Sequence, residues 1–295
     1  MAKTKLRRIA KWTTILGLAG IGTLAVIAWL VGTSLIAPAT KTVGEPPSDF
    51  PATTVTIQSD SGSSLVGWHL PLPESHATAI LFHPYRGDRR SMLSRAKLLR
   101  KHGYSTLLVD LQAHGESEGD TITVGHLEKH DVTAAVGFIR SNFPDQKIAV
   151  IGRSLGGAST VFANPDVDAI VLESVYPTIS NAVHNRVQMR IGILHRVVAP
   201  LLLVQLQPRL GVSPDQLRPV DEITKIRCPI LIASGDRDRH TTIDETKQLF
   251  DAASQPKRLV VFEGAEHVDL LAYDASKYEN EVIAYIKQVI GERVD

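Results

Sequence analysis

The chain predicts an α/β fold: a mostly parallel central sheet flanked by helices, with a small helical cap, preceded by one transmembrane helix. Three observations carry the prediction. Short apolar runs (TAILFHP, YSTLLVDL, KIAVIGRS, DAIVLES, PILIASG and RLVVFEG) alternate with amphipathic stretches of helical length. Strands this apolar are buried on both faces, as in parallel sheets covered by helices. That rhythm breaks between Tyr176 and Asp221, and no charged residue occurs between Lys11 and Lys41.

Residues 1–11 carry Lys3, Lys5, Arg7, Arg8 and Lys11 and form a basic N-terminus. Residues 12–37 read as a transmembrane helix, since about 20 apolar residues span a bilayer. Trp12 and Trp29 lie near its ends, where interfacial anchors sit. The far side carries Lys41 with Glu45 and Asp49, so the positive-inside rule leaves the N-terminus cytoplasmic and the remaining chain outside. A cleaved signal peptide is the alternative, because Ala37-Pro38-Ala39 offers A-x-A spacing; the domain would then be secreted or periplasmic. Against it, the apolar run exceeds an h-region of about 7–15 residues. A buried core helix fits poorly, as the stretch has no polar face.

Residues 38–52, rich in Lys, Pro, Ser and Gly, read as a linker, and residues 53–295 as the folded domain. TTVTIQS and LVGWHLP, separated by DSGSS, predict an antiparallel hairpin over residues 53–70. Residues 176–221, with ILHRVVAPLLLVQL, are expected to form the cap insertion. Its helices are open to three readings: ordinary packing on the domain, a hydrophobic lid over an acyl site, or a surface touching a nearby bilayer. The 32 basic and 31 acidic residues nearly cancel, so no global field attracts nucleic acid. Cys228 is the one cysteine, which excludes an internal disulfide and reads as a small buried hydrophobe.

Gly152-Arg153-Ser154-Leu155-Gly156 fits GxSxG, a weak signal alone. Here it follows the apolar strand KIAVIG and precedes the small-residue helix LGGASTVFAN, the strand-turn-helix setting of a nucleophile elbow. Ser154 would stand at a helix N-terminus, whose dipole favours developing negative charge. Its base should follow in the order Ser, acid, His. His184 and His195 fall in the cap, and His240 is two residues from the best acid, so His267, after the last strand, is the base. Asp238 is the expected acid, with Asp236 a turn residue and Glu173 a lesser alternative. The oxyanion hole needs the Leu155 N–H and one from His83-Pro84-Tyr85-Arg86-Gly87, where Tyr85 is the donor because proline has no N–H. His83 reads as a structural support of that loop. His126 and His130 are four apart on an expected helix, but Leu127 replaces the Glu of HExxH and no third ligand is evident; a solvated helix face is expected, and no metal.

In these motifs the chain resembles the α/β-hydrolase superfamily from residue 53 to its end. Asp110–Gly119 (DLQAHGESEG) is similar to DxRGHGxSxG, with Gln112 and Ala113 replacing the usual Arg and Gly. HPYRG is similar to the HGxxG oxyanion loop, with Pro84 replacing Gly, and SGDRD and GAEH resemble the acid and histidine loops. Within the superfamily the chain looks most like membrane-tethered serine hydrolases related to serine aminopeptidases, monoacylglycerol lipases and depalmitoylases. The resemblance implies hydrolysis of an ester, thioester or amide by Ser154, Asp238 and His267 through an acyl-enzyme, without a cofactor, on a small-molecule or lipid acyl substrate. A peptidase of the serine aminopeptidase type is one alternative. A non-catalytic binding protein on this fold is another, although such a protein would be expected to lack a triad member. A monomer is expected.

Overall fold

The computed structural model describes residues 2–291. Its strands are β1 (Ala39–Thr40), β2 (Thr53–Gln58), β3 (Ser64–Leu70), β4 (Ala77–Phe82), β5 (Ser105–Val109), β6 (His114–Gly115), β7 (Lys147–Arg153), β8 (Ala169–Glu173), β9 (Ile230–Gly235) and β10 (Lys257–Phe262). The α-helices are α1 (Ala2–Ile36), α2 (Leu93–Lys101), α3 (Glu128–Asn142), α4 (Leu155–Ala163), α5 (Ile179–Ile191), α6 (His195–Leu203), α7 (Leu206–Leu210), α8 (Pro219–Glu222), α9 (Ile243–Ala252), α10 (Leu270–Tyr273), α11 (Ala275–Tyr278) and α12 (Ala284–Ile290).

The eight-stranded sheet runs β10-β9-β8-β7-β4-β5-β3-β2. β2 pairs antiparallel with β3, and β3 with β5; every other pairing is parallel. All residues of β4, β5, β8 and β9 are buried, so these strands are mostly apolar rather than alternating. Their side chains still divide by the strand period of two. Ile80, Phe82, Leu107 and Val150 join Val132, Ala158 and Leu249 in one apolar layer. Ala79, Leu81, Leu108 and Ile151 join Leu99, Tyr278 and Ile286 in the other. The parallel order aligns the carboxyl ends of β4, β7, β8, β9 and β10 on one edge, where this architecture places its sites.

Two segments differ from expectation. Residues 38–52 are not slack: β1 pairs parallel with β6, the N–H groups of Val43 and Gly44 each donate to Glu116 Oε1 at 3.0 Å, and Phe50 is fully buried. Their polar, turn-rich composition reflects bonding to an acidic loop and not solvation. His126 lies in the turn before α3, so it does not share a helical face with His130. Residues 176–221 hold α5 to α8, with α5 packed on α6 and α6 packed on α1. The cap is tied down at its base, where Asn181 and Asn185 donate to Glu245 of α9 at 2.8 Å.

Candidate active site

The elbow is built by close approach. Ser154 joins β7 directly to α4, with φ 49° and ψ −108°. That strained backbone costs of order 1–3 kcal/mol. It persists because its surroundings fix it: the Ser154 N–H donates to Glu173 O of β8 at 2.8 Å, and Ser154 O accepts from Ala158 N at 2.9 Å. A Cβ on Gly156 would stand 2.5 Å from Phe82 O, so only glycine lets α4 press against β4. Ser154 is 3% exposed, at the start of a helix whose first N–H groups point toward it.

The loops after β9 and β10 supply the acid and the imidazole. His267 Nδ1 donates to Asp238 Oδ2 at 2.7 Å, and Asp238 Oδ1 accepts from the His240 and Thr241 N–H groups at 2.8 and 2.9 Å. Burial alone would raise the Asp238 pKa. The bond from His267, its charge and the two backbone donors outweigh burial and hold the carboxyl below its ordinary value. An ionised Asp238 fixes the proton on Nδ1 and leaves Nε2 as an acceptor. Ser154 Oγ forms no hydrogen bond to His267 here, a contact that commonly tightens only when substrate binds. Asp236 is the expected turn residue: its Oδ1 accepts from Gly264 N at 2.6 Å and joins the two loops.

The loop after β4 folds into a turn closed by Gly87 N to Pro84 O at 2.9 Å, with Arg86 at φ 56°. A turn closed this way leaves the N–H of its second residue, Tyr85, unused. His83 supports the loop as expected: Nδ1 donates to Pro84 O at 2.8 Å and Nε2 accepts from Leu111 N at 3.0 Å. Burial pushes this imidazole down to about 4. The α1 terminus reaches the same loop, with the Tyr85 hydroxyl donating to Leu35 O and Arg86 Nη1 to Ser34 O at 3.2 Å.

Residues 73–220, half of the chain, match the family described as serine aminopeptidase, S33. The chain belongs to this family of α/β-hydrolases. The hydrolase is 21% identical over 240 residues to the Bacillus subtilis protein YqkD, covering 79% of each chain. It is 27% identical over 222 residues to Rv2307c of Mycobacterium tuberculosis, covering 73% of this chain and 72% of that one. Its fold is similar to that of the Pyrococcus furiosus esterase Pf2001, with TM-score 0.73, 21% identity, and coverage of 87% of this chain and 99% of that one.

The hydrolase also contains functional neighbours that its sequence did not reveal. Glu173, the alternative acid, is fully buried in a pair with Arg95 and accepts the Tyr278 hydroxyl at 2.6 Å, so it serves the framework. Arg95 also holds Asp269 at 2.7 Å, and Arg153 lies 3.6 Å from the same carboxylate. Asp269 thereby clamps the His267 loop to the strand that carries Ser154. His240 stacks on His267 with ring centroids 4.7 Å apart, and burial together with the neighbouring cationic groups pushes its pKa down to about 4. Its position two residues after Asp238 was the only available signal. Among the described residues, no group of three His, Cys, Asp or Glu side chains is placed to hold a metal ion.

Proposed function

We propose that this chain is a membrane-tethered serine hydrolase that cleaves an ester or thioester in preference to an amide, on a lipid or acyl substrate, through an acyl-enzyme. The Asp238–His267 bond, formed at the strand ends that also carry Ser154, is the observation behind it. His267 Nε2 takes the Ser154 proton as Oγ attacks the carbonyl carbon. The carbonyl oxygen becomes an oxyanion held by the Leu155 and Tyr85 N–H groups. Collapse expels the leaving group, which takes the proton from His267. Water, deprotonated by the same imidazole, then attacks the acyl-enzyme and releases the acid as His267 returns the proton to Ser154 Oγ. Asp238 holds the ring and stabilises its transient positive charge.

Esters and thioesters are favoured over N-terminal peptide substrates by the chemistry of the cap. No Asp or Glu occurs between Ser174 and Pro214, so this part of the cap offers no carboxylate to pair with a substrate ammonium. Glu245, at the base of the cap, is already engaged by Asn181, Asn185 and Thr242. An uncleaved tether is supported by the contacts of α1: cleavage after Ala39 would remove the Leu35 and Ser34 carbonyls that hold the Tyr85 loop. The N-terminus is then cytoplasmic and the catalytic domain outside, where protease added to intact cells reaches it.

Labelling with a fluorophosphonate tests the chemistry. Wild type should label and Ser154→Ala should not, with both folded. A folded wild-type protein that stays unlabelled removes the serine hydrolase assignment.

A further inference from the structure

Outside α1 the described residues expose seven large apolar side chains, and five of them (Ile191, Ile193, Leu194, Val197 and Val204) fall within fourteen residues of the cap. They are 39 to 67% exposed. The other two, Val268 and Tyr273, lie one and six residues after His267. An apolar cluster this concentrated is a contact surface and not ordinary surface scatter. Its charge has one sign: Arg186, Arg190, Arg196 and Arg209 occur between Ser174 and Pro214 with no acidic residue, and Arg190 and Arg196 are exposed beside the apolar tip.

The same segment is fastened to the upper part of α1. Gln205 Nε2 donates to Ala28 O at 3.1 Å, and Arg209 Nη2 to Trp29 O at 2.7 Å. Arg209 Nη1 donates to Thr33 Oγ1 at 2.9 Å, and its guanidinium lies 3.6 Å from the centroid of the Trp29 ring. Ala28 lies eight residues before Ile36, which at 1.5 Å per residue places this contact about 12 Å below the end of the helix. A helix anchored in a bilayer through Ile36 therefore brings α6 and α7 to the headgroups and upper acyl chains of the outer leaflet. Interfacial elements bury their apolar faces at a depth of about 5–10 Å.

We propose that the α5–α6 tip is a second membrane contact, seated in the outer leaflet beside α1, so that acyl substrate reaches Ser154 from the lipid phase. Ile193, Leu194 and Val197 enter the acyl region, while Arg190 and Arg196 meet lipid phosphates. This rests on the tether of the preceding section.

The test uses the full chain with Cys228→Ser, reconstituted in phosphatidylcholine–phosphatidylglycerol nanodiscs. An environment-sensitive fluorophore is placed singly at Ile193→Cys, Gly20→Cys or Asp251→Cys, and quenching by phospholipids spin-labelled near the headgroup or deep in the acyl chain is read. The position 193 label should be quenched by the shallow spin label, position 20 by the deep one, and position 251, on α9, by neither. Quenching at position 20 without quenching at 193 overturns the cap contact and leaves the tether standing; quenching at neither removes both. In a second arm, Ile193→Asp with Leu194→Asp should lower hydrolysis of a vesicle-embedded ester about tenfold or more while leaving a soluble p-nitrophenyl ester within about twofold, because only interfacial access is lost. Equal rates on both substrates, relative to wild type, would also overturn it.

Discussion

Among the described residues, the Tyr85 hydroxyl is one of two side-chain contacts from the loop after β4 to α1, and Tyr85→Phe removes it while keeping the ring and the backbone N–H. A neutral hydrogen bond is worth about 1 kcal/mol, or roughly fivefold in rate if all of it is felt in the transition state. The ceiling is set by complete loss of an oxyanion donor, about 10²–10³ in kcat. His83 and the Gly87–Pro84 bond still shape the turn, which puts the expected loss near fivefold in kcat with KM unchanged. The assay is p-nitrophenyl butyrate hydrolysis by the full chain in nanodiscs, with melting temperature measured in parallel. Arg86→Ala, which frees the same loop from Ser34 O, should act in the same direction and combine with Tyr85→Phe non-additively. A KM increase at unchanged kcat would place the hydroxyl against substrate and refute a positioning role. Unchanged values of both would show that the loop does not depend on α1.

Asp238→Asn should lower kcat by about 10⁴ by removing the charge that fixes the His267 tautomer, while Asp236→Asn costs under about tenfold; steady-state kinetics that reverse this order would exchange their roles. Glu173→Gln leaves Arg95 buried without its strongest partner and should cost about 3–5 kcal/mol in denaturant unfolding, with fluorophosphonate labelling of the folded fraction retained. His83→Ala strands the Leu111 N–H and should destabilise by about 1–3 kcal/mol at pH 8. Since burial holds the folded His83 pKa at about 4, the unfolded state binds the extra proton as pH falls from about 6.5. The His83 contribution is therefore fully present above about pH 6.5 and fades as pH drops through 4, so the gap between wild type and His83→Ala should narrow over that window. A gap independent of pH would contradict the neutral buried imidazole.

The fold was legible because parallel strands buried on both faces are mostly apolar, so KIAVIG and PILIASG announce themselves without regular alternation. The geometry of the candidate site was legible where covalent logic applied: glycines at an elbow and the order of acid and histidine, which the structure places within hydrogen-bond reach of each other. Contacts that join distant segments were not legible. Phe50 looks like part of a polar linker until the hydrophobic layer that receives it exists. Glu173 has the strand-end position of a catalytic acid, and only Arg95, 78 residues away, reveals its structural use. His240 gives no local sign of stacking on His267, and the docking of α1 on α6 follows from surfaces that neither segment displays alone.

The pairing of Ala39–Thr40 with His114–Gly115 leaves only Ala37 and Pro38 between the end of α1 and the folded domain. A leash of fifteen free residues would let a domain sweep a volume and sample solute in bulk. This mounting has no such radius, and the edge that carries the candidate site stays at one height above the end of α1. In the membrane-tethered state proposed above, an acyl substrate in the same leaflet would be met as a mole fraction, and dilution of the surrounding medium would leave turnover unchanged.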